Sequence, residues 1–205
     1  MIGIYDYTVI LTYLSALSAV SGIALCISGN PKGGIILLML CGLLDMFDGP
    51  VARTKKNRSE TAKKFGIQID SLSDLIAFGV LPAAVCISFT GSVFGIVSGM
   101  LFALCALIRL AYFNVTEEER SAATTEKRKY YEGLPVTSIA LILPLFCAFA
   151  NLLDSLFTLI LPCLMLLVAF LFIYRFKVTK PGKKGIAVMS VAGAAILILV
   201  ILFLR

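Results

Sequence analysis

The feature that most limits how this chain can fold is a succession of apolar segments, each long enough to cross a hydrocarbon layer about 30 Å thick at about 1.5 Å per residue. Seven such segments are legible: Tyr7–Ile27, Gly34–Val51, Ile67–Phe89, Val93–Phe113, Pro135–Leu153, Leu156–Tyr174 and Ile186–Leu204. Inside a bilayer every backbone N–H and C=O must be bonded within the protein, and segments of this length satisfy that as helices. Of the 205 residues 60% are hydrophobic and 15% charged, against about 25% charged in ordinary soluble domains, so a water-solvated globule is excluded. The reading is an all-α polytopic membrane helical bundle. Tyr7–Ile27 reads as its first membrane helix rather than a cleaved signal, because no basic stretch precedes it and the apolar run exceeds a signal core. The Gly/Pro-rich connection Gly29–Gly33 predicts an antiparallel hairpin of the first two helices.

Basic residues set the expected orientation. Arg53, Lys55, Lys56, Arg58, Lys63 and Lys64 follow the second segment; Arg120, Lys127, Arg128 and Lys129 follow the fourth; Arg175, Lys177, Lys180, Lys183 and Lys184 follow the sixth. These are alternate connections, and the opposite ones hold only Lys32, which places the basic side and the N-terminus in the cytoplasm. The formal charge of +6 is thereby accounted for by topology and contact with anionic lipid, and nucleic acid is not an expected partner. Asn114–Glu132, mixing Glu117, Glu118, Glu119, Arg120, Glu126, Lys127 and Arg128, reads as a solvated loop with a short helix and no chemistry.

The chain has no His, so neither a His base nor a His-ligated metal is available. Its six Cys, at 26, 41, 86, 105, 147 and 163, are scattered without a CxxC pair and read as small buried hydrophobes rather than a disulfide or zinc framework. Proton transfer or metal binding falls to carboxylates, Tyr, Cys or Lys, and four of the 12 acids lie where acids are costly: Asp45 and Asp48 near the end of the second segment, Asp70 and Asp74 near the start of the third. A charge within a membrane helix costs at least about 2.5–3.5 kcal/mol on insertion scales, and residues kept at that cost are usually functional. Spacings of i, i+3 and i, i+4 give each pair one helix face, and the shared connection puts both pairs at one depth.

Four converging carboxylates must be protonated, paired with bases or bridged by cations. Hard divalent ions, Mg²⁺ or Mn²⁺, suit an all-oxygen donor set, and two such ions are a recurrent device for gripping a phosphate or diphosphate during in-line displacement. Gly42, Gly49, Ala52, Gly66, Ser71 and Ser73 surround the acids; such small residues admit a ligand and equally serve close helix packing. Arg53 is either a planar fork for a phosphate oxygen or a topology charge at the helix end.

The stretches DMFDGPVAR and FGIQIDSLSD resemble the signature of the CDP-alcohol phosphotransferases, DxxDGxxAR followed by GxxxDxxxD. Asp45, Asp48, Gly49, Ala52, Arg53, Gly66, Asp70 and Asp74 fill all eight positions. The departure is the linker, since the twelve residues between Arg53 and Gly66 exceed the family's usual spacer. The resemblance implies a core of six membrane helices over about residues 1–175; residues 176–205, read as a basic linker and an additional seventh helix, lie outside it. It further implies a homodimer and a nucleotide site open to the cytoplasm. Asp45, Asp48, Asp70 and Asp74 would bind two divalent cations, Asp74 would also be the general base, and Gly49, Ala52, Arg53 and Gly66 would border the CDP diphosphate.

Three further blocks, DSLSDLIAFGVLPA, IRLAYFNV and YEGLPVTSIA, are similar to the bacterial and archaeal serine-using branch of that family. This implies transfer of a phosphatidyl group from CDP-diacylglycerol to L-serine in a bacterial or archaeal cell membrane. Arg109, in the second block, would hold the serine carboxylate or a lipid phosphate, or else snorkel from a structural ion pair. Another acceptor, inositol phosphate or glycerol 3-phosphate, is the alternative within the family; a cation-coupled transporter is the alternative outside it.

Overall fold

The computed structural model describes residues 3–55, 57, 59–124, 130–179 and 182–204. Lys56, Arg58, Glu126, Lys127, Arg128, Lys129 and Lys180, named above for their charge, lie outside the described residues. The chain is a polytopic bundle of helices: α1 (Tyr7–Ile27), α2 (Pro31–Ala52), α3 (Glu60–Asp74) running through a π-helical turn at Leu75–Val80 into α4 (Leu81–Thr90), α5 (Val93–Ala123), α6 (Ile139–Ala148), a short α7 (Ala150–Leu153), α8 (Phe157–Ile173) and α9 (Lys183–Phe203). Among the described residues, six helical stretches are long and apolar enough to cross a membrane: Tyr7–Ile27, Pro31–Ala52, Glu60–Thr90, Val93–Ala123, Ala150–Ile173 and Gly185–Phe203.

The remaining expected span, Pro135–Leu153, is divided. Its helical part, Val136–Ala148, is shorter than the others, and a break at Phe149 transfers Ala150–Leu153 to the following stretch. The fourth span differs in the other direction, because α5 does not stop at Phe113 but continues to Ala123, its last turns held by the Glu117–Arg120 ion pair at 2.7 Å. Local chemistry explains where the helices begin. Asp6, Asn30, Ser59 and Ser92 each accept a backbone N–H from the first turn of the helix that follows, satisfying donors a helix start leaves orphaned. Pro31 then supplies the first position of α2, where its missing N–H is harmless.

Apolar faces divide between protein and lipid. Phe78, Phe102, Leu81, Ile139 and Met165 are fully buried in one core, whereas Leu17, Met100, Leu159 and Val191 lie exposed on the outer faces, where hydrocarbon rather than water is their solvent. α1 packs most extensively on α2, and α5 on α8. The cysteines are free thiols, with Cys26, Cys41, Cys86 and Cys147 buried, Cys105 half-buried and Cys163 exposed.

Contacts among the described residues tie the basic connections to the rest of the chain and to each other in two places. Tyr7 Oη lies 3.1 Å from Thr54 Oγ1, and Lys55 pairs with Asp6, tying the α2–α3 connection to the start of α1. After α5, strand β1 (Tyr130–Glu132) pairs antiparallel with β2 (Lys177–Thr179), Tyr131 opposite Val178, so the second and third connections are joined as well. At the opposite end Lys32 Nζ donates to the Ile201 carbonyl at 3.2 Å and Asn151 Nδ2 to that of Phe203.

Candidate metal centre

α2 carries its acids in its last two turns and α3 carries its acids up to its final residue. Oxygens of Asp45, Asp70 and Asp74 lie within 4.8 Å of one another, each residue half-buried. Asp48, one turn beyond Asp45 and close to Asp70, stands outside that triplet. All four expected acids therefore meet at the α2–α3 junction. Three converging hard oxygen donors, with no nitrogen or sulfur among them, are the donor set that Mg²⁺ or Mn²⁺ takes.

Packing holds the two helices in this register. A Cβ on Gly42 would stand 2.8 Å from that of Ala140, so the missing side chain is what lets α2 approach α6. Ser73, between Asp70 and Asp74, is buried and donates to the Thr12 carbonyl of α1 at 3.2 Å. Ser71 Oγ donates to Asn114 Oδ1 at 3.0 Å and accepts from its Nδ2 at 2.8 Å, a reciprocal link from α3 to α5. Immediately past Asp74 the helix widens into its π turn. Pro82 has no N–H for the Phe78 carbonyl four residues earlier and its ring would crowd it, and a wider turn relieves both. Gly79, in that turn, lets Ala106 of α5 come within 3.3 Å of where a Cβ would be.

The other expected residues line the ends of the same helices. Gly49 and Ala52 are half-buried in the final turns of α2, Gly66 lies one turn before Asp70, and Arg53 caps α2 with its side chain exposed. The Arg53 guanidinium folds back over Gly49, its Nη1 3.4 Å from the position of a Cβ there. Arg109 is not one of the clustered residues. It is buried, donates from Nε to the Leu134 carbonyl at 3.3 Å, sits 5.9 Å from the Phe113 ring centroid and lines a groove between α5 and α8.

Sequence reasoning missed Asn114, assigned to a solvated loop although it lies on α5 and holds Ser71; an amide directly after an apolar run was the available signal. It also missed the clasp from Asp6 and Tyr7 to Thr54 and Lys55, for which no local pattern exists.

Comparison with known proteins adds a second line of evidence. The family model described as CDP-alcohol phosphatidyltransferase matches residues 8–175. A CDP-diacylglycerol--serine O-phosphatidyltransferase of Saccharomyces cerevisiae is 40% identical over 147 residues, 67% of this chain and 51% of that protein. One of the same name from Methanocaldococcus jannaschii is 29% identical over 168 residues, 81% of this chain and 75% of that protein. An archaetidylserine synthase of Methanothermobacter thermautotrophicus is 37% identical over 139 residues, 67% of this chain and 55% of that protein. The chain thus spans about half the length of the yeast relative. None of these names describes a transporter.

Proposed function

The chain belongs to the CDP-alcohol phosphatidyltransferase family, and from that premise we propose that it transfers the phosphatidyl group of CDP-diacylglycerol to the hydroxyl of L-serine, releasing CMP. The observation that carries the reading is the convergence of Asp45, Asp70 and Asp74 within 4.8 Å at the junction of two membrane-spanning helices. Serine as acceptor is supported by the names of the three relatives and by the blocks around Asp70, Arg109 and Gly133.

Asp45, Asp48, Asp70 and Asp74 would hold two divalent cations, Mg²⁺ or Mn²⁺. When bound, these ions supply positive charge against the diphosphate. Arg53, turned over Gly49 at the edge of the cluster, gives a planar pair of N–H donors to a diphosphate oxygen. The absence of side chains at Gly49 and Gly66, and the single methyl of Ala52, leave room for the nucleotide beside the helices. Asp74 accepts the proton of the serine hydroxyl as its oxygen attacks the phosphorus that bears the diacylglycerol. The bond from that phosphorus to the bridging oxygen breaks, and CMP departs with the electron pair. Holding hydroxyl, phosphorus and carboxylate in one frame is the main contribution of the protein.

Asp45 and Asp48 lie in the last two turns of α2 and Asp70 and Asp74 in the first half of the continuous stretch Glu60–Thr90, so acyl chains would stay in the bilayer while serine and cytidine arrive from water. The basic end is then cytoplasmic in a bacterial or archaeal membrane, residues 1–175 form the catalytic unit, 176–205 add a linker and one helix, and the protein works as a homodimer. The test is CMP release from CDP-diacylglycerol by the purified chain with serine, inositol phosphate and glycerol 3-phosphate in parallel, with and without Mg²⁺ or Mn²⁺. Metal-dependent release with serine alone is expected, and it is lost in Asp74→Asn. Wild-type turnover in that variant removes the assigned base, and preference for another alcohol removes the acceptor.

A further inference from the structure

Away from the carboxylates, a groove of about 240 Å³ opens between the last turns of α5 and α8, bordered by Ile108, Arg109, Tyr112, Glu132, Tyr174 and Arg175. Its chemistry changes along its length. Ile108 and Ile173 form an exposed apolar rim; Tyr112 and Tyr174 follow within a helical turn; Glu132 and Arg175 stand beyond them. That order, hydrocarbon then aromatic hydroxyl then charge, is the profile of a bilayer boundary. The floor holds Arg109, only 6% exposed and aimed by its Nε bond to Leu134.

The second guanidinium is fixed too. Arg175 donates from Nε to Glu132 Oε2 at 3.1 Å and from Nη2 to Tyr112 Oη at 2.6 Å, and Tyr112 donates to the same carboxylate oxygen at 3.2 Å. A closed triangle thus joins α5 to the residues around β1 and β2, and among the described residues it uses the Nε and Nη2 donors of Arg175. Among the described residues that border the groove, two guanidinium groups stand with one carboxylate.

The groove is separate from the metal centre. Tyr112 and Asn114 are two residues apart on α5, hence about 200° apart around it, and Asn114 is the residue that bonds Ser71 beside Asp70. The Tyr112 face therefore points away from the carboxylates. We propose that this groove binds the phosphodiester headgroup of an anionic phospholipid of the surrounding bilayer, as a lipid site distinct from the substrate site. Guanidinium forks match phosphate oxygens, and basic pockets between helices at a membrane surface are a recurrent headgroup receptor.

The proposal does not depend on phosphatidyl transfer and is read without turnover. Full-length protein in nonionic detergent is titrated with phosphatidylglycerol or phosphatidylcholine, and retained lipid is counted by native mass spectrometry. Phosphatidylglycerol is expected to bind more tightly than phosphatidylcholine. Arg175→Gln should weaken it about tenfold, the scale of one charge-assisted hydrogen bond. Glu132→Gln should strengthen it, because it removes the one carboxylate among the described lining residues, whereas a purely structural triangle would make both variants move the same way. Arg120→Gln, which removes a guanidinium paired with Glu117 elsewhere on α5, should change nothing. Equal losses in Arg120→Gln and Arg175→Gln, parallel shifts in the Arg175 and Glu132 variants, or displacement of the lipid by excess inorganic phosphate would each overturn the assignment.

Discussion

Gly42→Ala tests whether the carboxylate cluster depends on how closely α2 approaches α6. The added methyl carbon would stand 2.8 Å from the Ala140 Cβ, whereas non-bonded carbons settle at about 3.5–4.0 Å. The two helices must part locally by about 1 Å, and overpacking of that kind costs about 1–3 kcal/mol. Asp45 lies three residues on, within the same turn, so its carboxylate moves with the strained backbone. A displacement of about 1 Å at a reacting centre lowers turnover by as much as about 100-fold. The assay pairs thermal unfolding in detergent with CMP release, and the decisive control is the double variant Gly42→Ala with Ala140→Gly, which moves the methyl from one helix to the other. It should recover both readouts, apart from about 0.5–1 kcal/mol for glycine inside a helix. Wild-type stability in Gly42→Ala, or no recovery in the double variant, would refute the reasoning.

Two further outcomes are expected. Asn114→Leu removes both bonds to Ser71 and should cost about 1–3 kcal/mol, and it should raise the Mn²⁺ concentration needed for half-maximal CMP release because Asp70 loses its brace; unchanged metal dependence would confine Asn114 to packing. Gly133→Ala places a Cβ 3.0 Å from the Phe172 carbonyl oxygen and 3.1 Å from that of Tyr174 at φ +75°, so it should destabilise by more than the roughly 1–2 kcal/mol of a left-handed backbone alone. Gly29→Ala, at φ +80° with open space around it, supplies that backbone reference in the same unfolding measurement.

Much of the architecture was legible because bilayer thickness acts on each segment separately: α1 begins and ends at Tyr7 and Ile27, as its hydropathy indicates. The acids were legible for a related reason, since a carboxylate in an apolar helix is conspicuous whatever surrounds it. Where hydropathy fades, the reading failed. α5 runs through Glu117 and Arg120 because their ion pair and helical bonds continue beyond the apolar run. The break at Phe149 divides a segment that is apolar on both sides of it.

By itself, the sequence determined that this chain carries several apolar segments long enough to cross a membrane as helices, that it has no imidazole, and that four carboxylates lie in its second and third apolar segments. Those properties follow from chain length, residue chemistry and helical periodicity, which are local. The tertiary structure decided which three acids converge within 4.8 Å and that Asn114, on α5 rather than in a loop, bonds Ser71 beside Asp70. It also decided that Arg109 faces a groove with Tyr112 and Arg175 and that Asp6 and Tyr7 clasp the α2–α3 connection. Each of these joins residues far apart in the chain, and their meeting depends on the rotation of each helix about its own axis, a variable that hydropathy leaves undetermined when most faces are apolar.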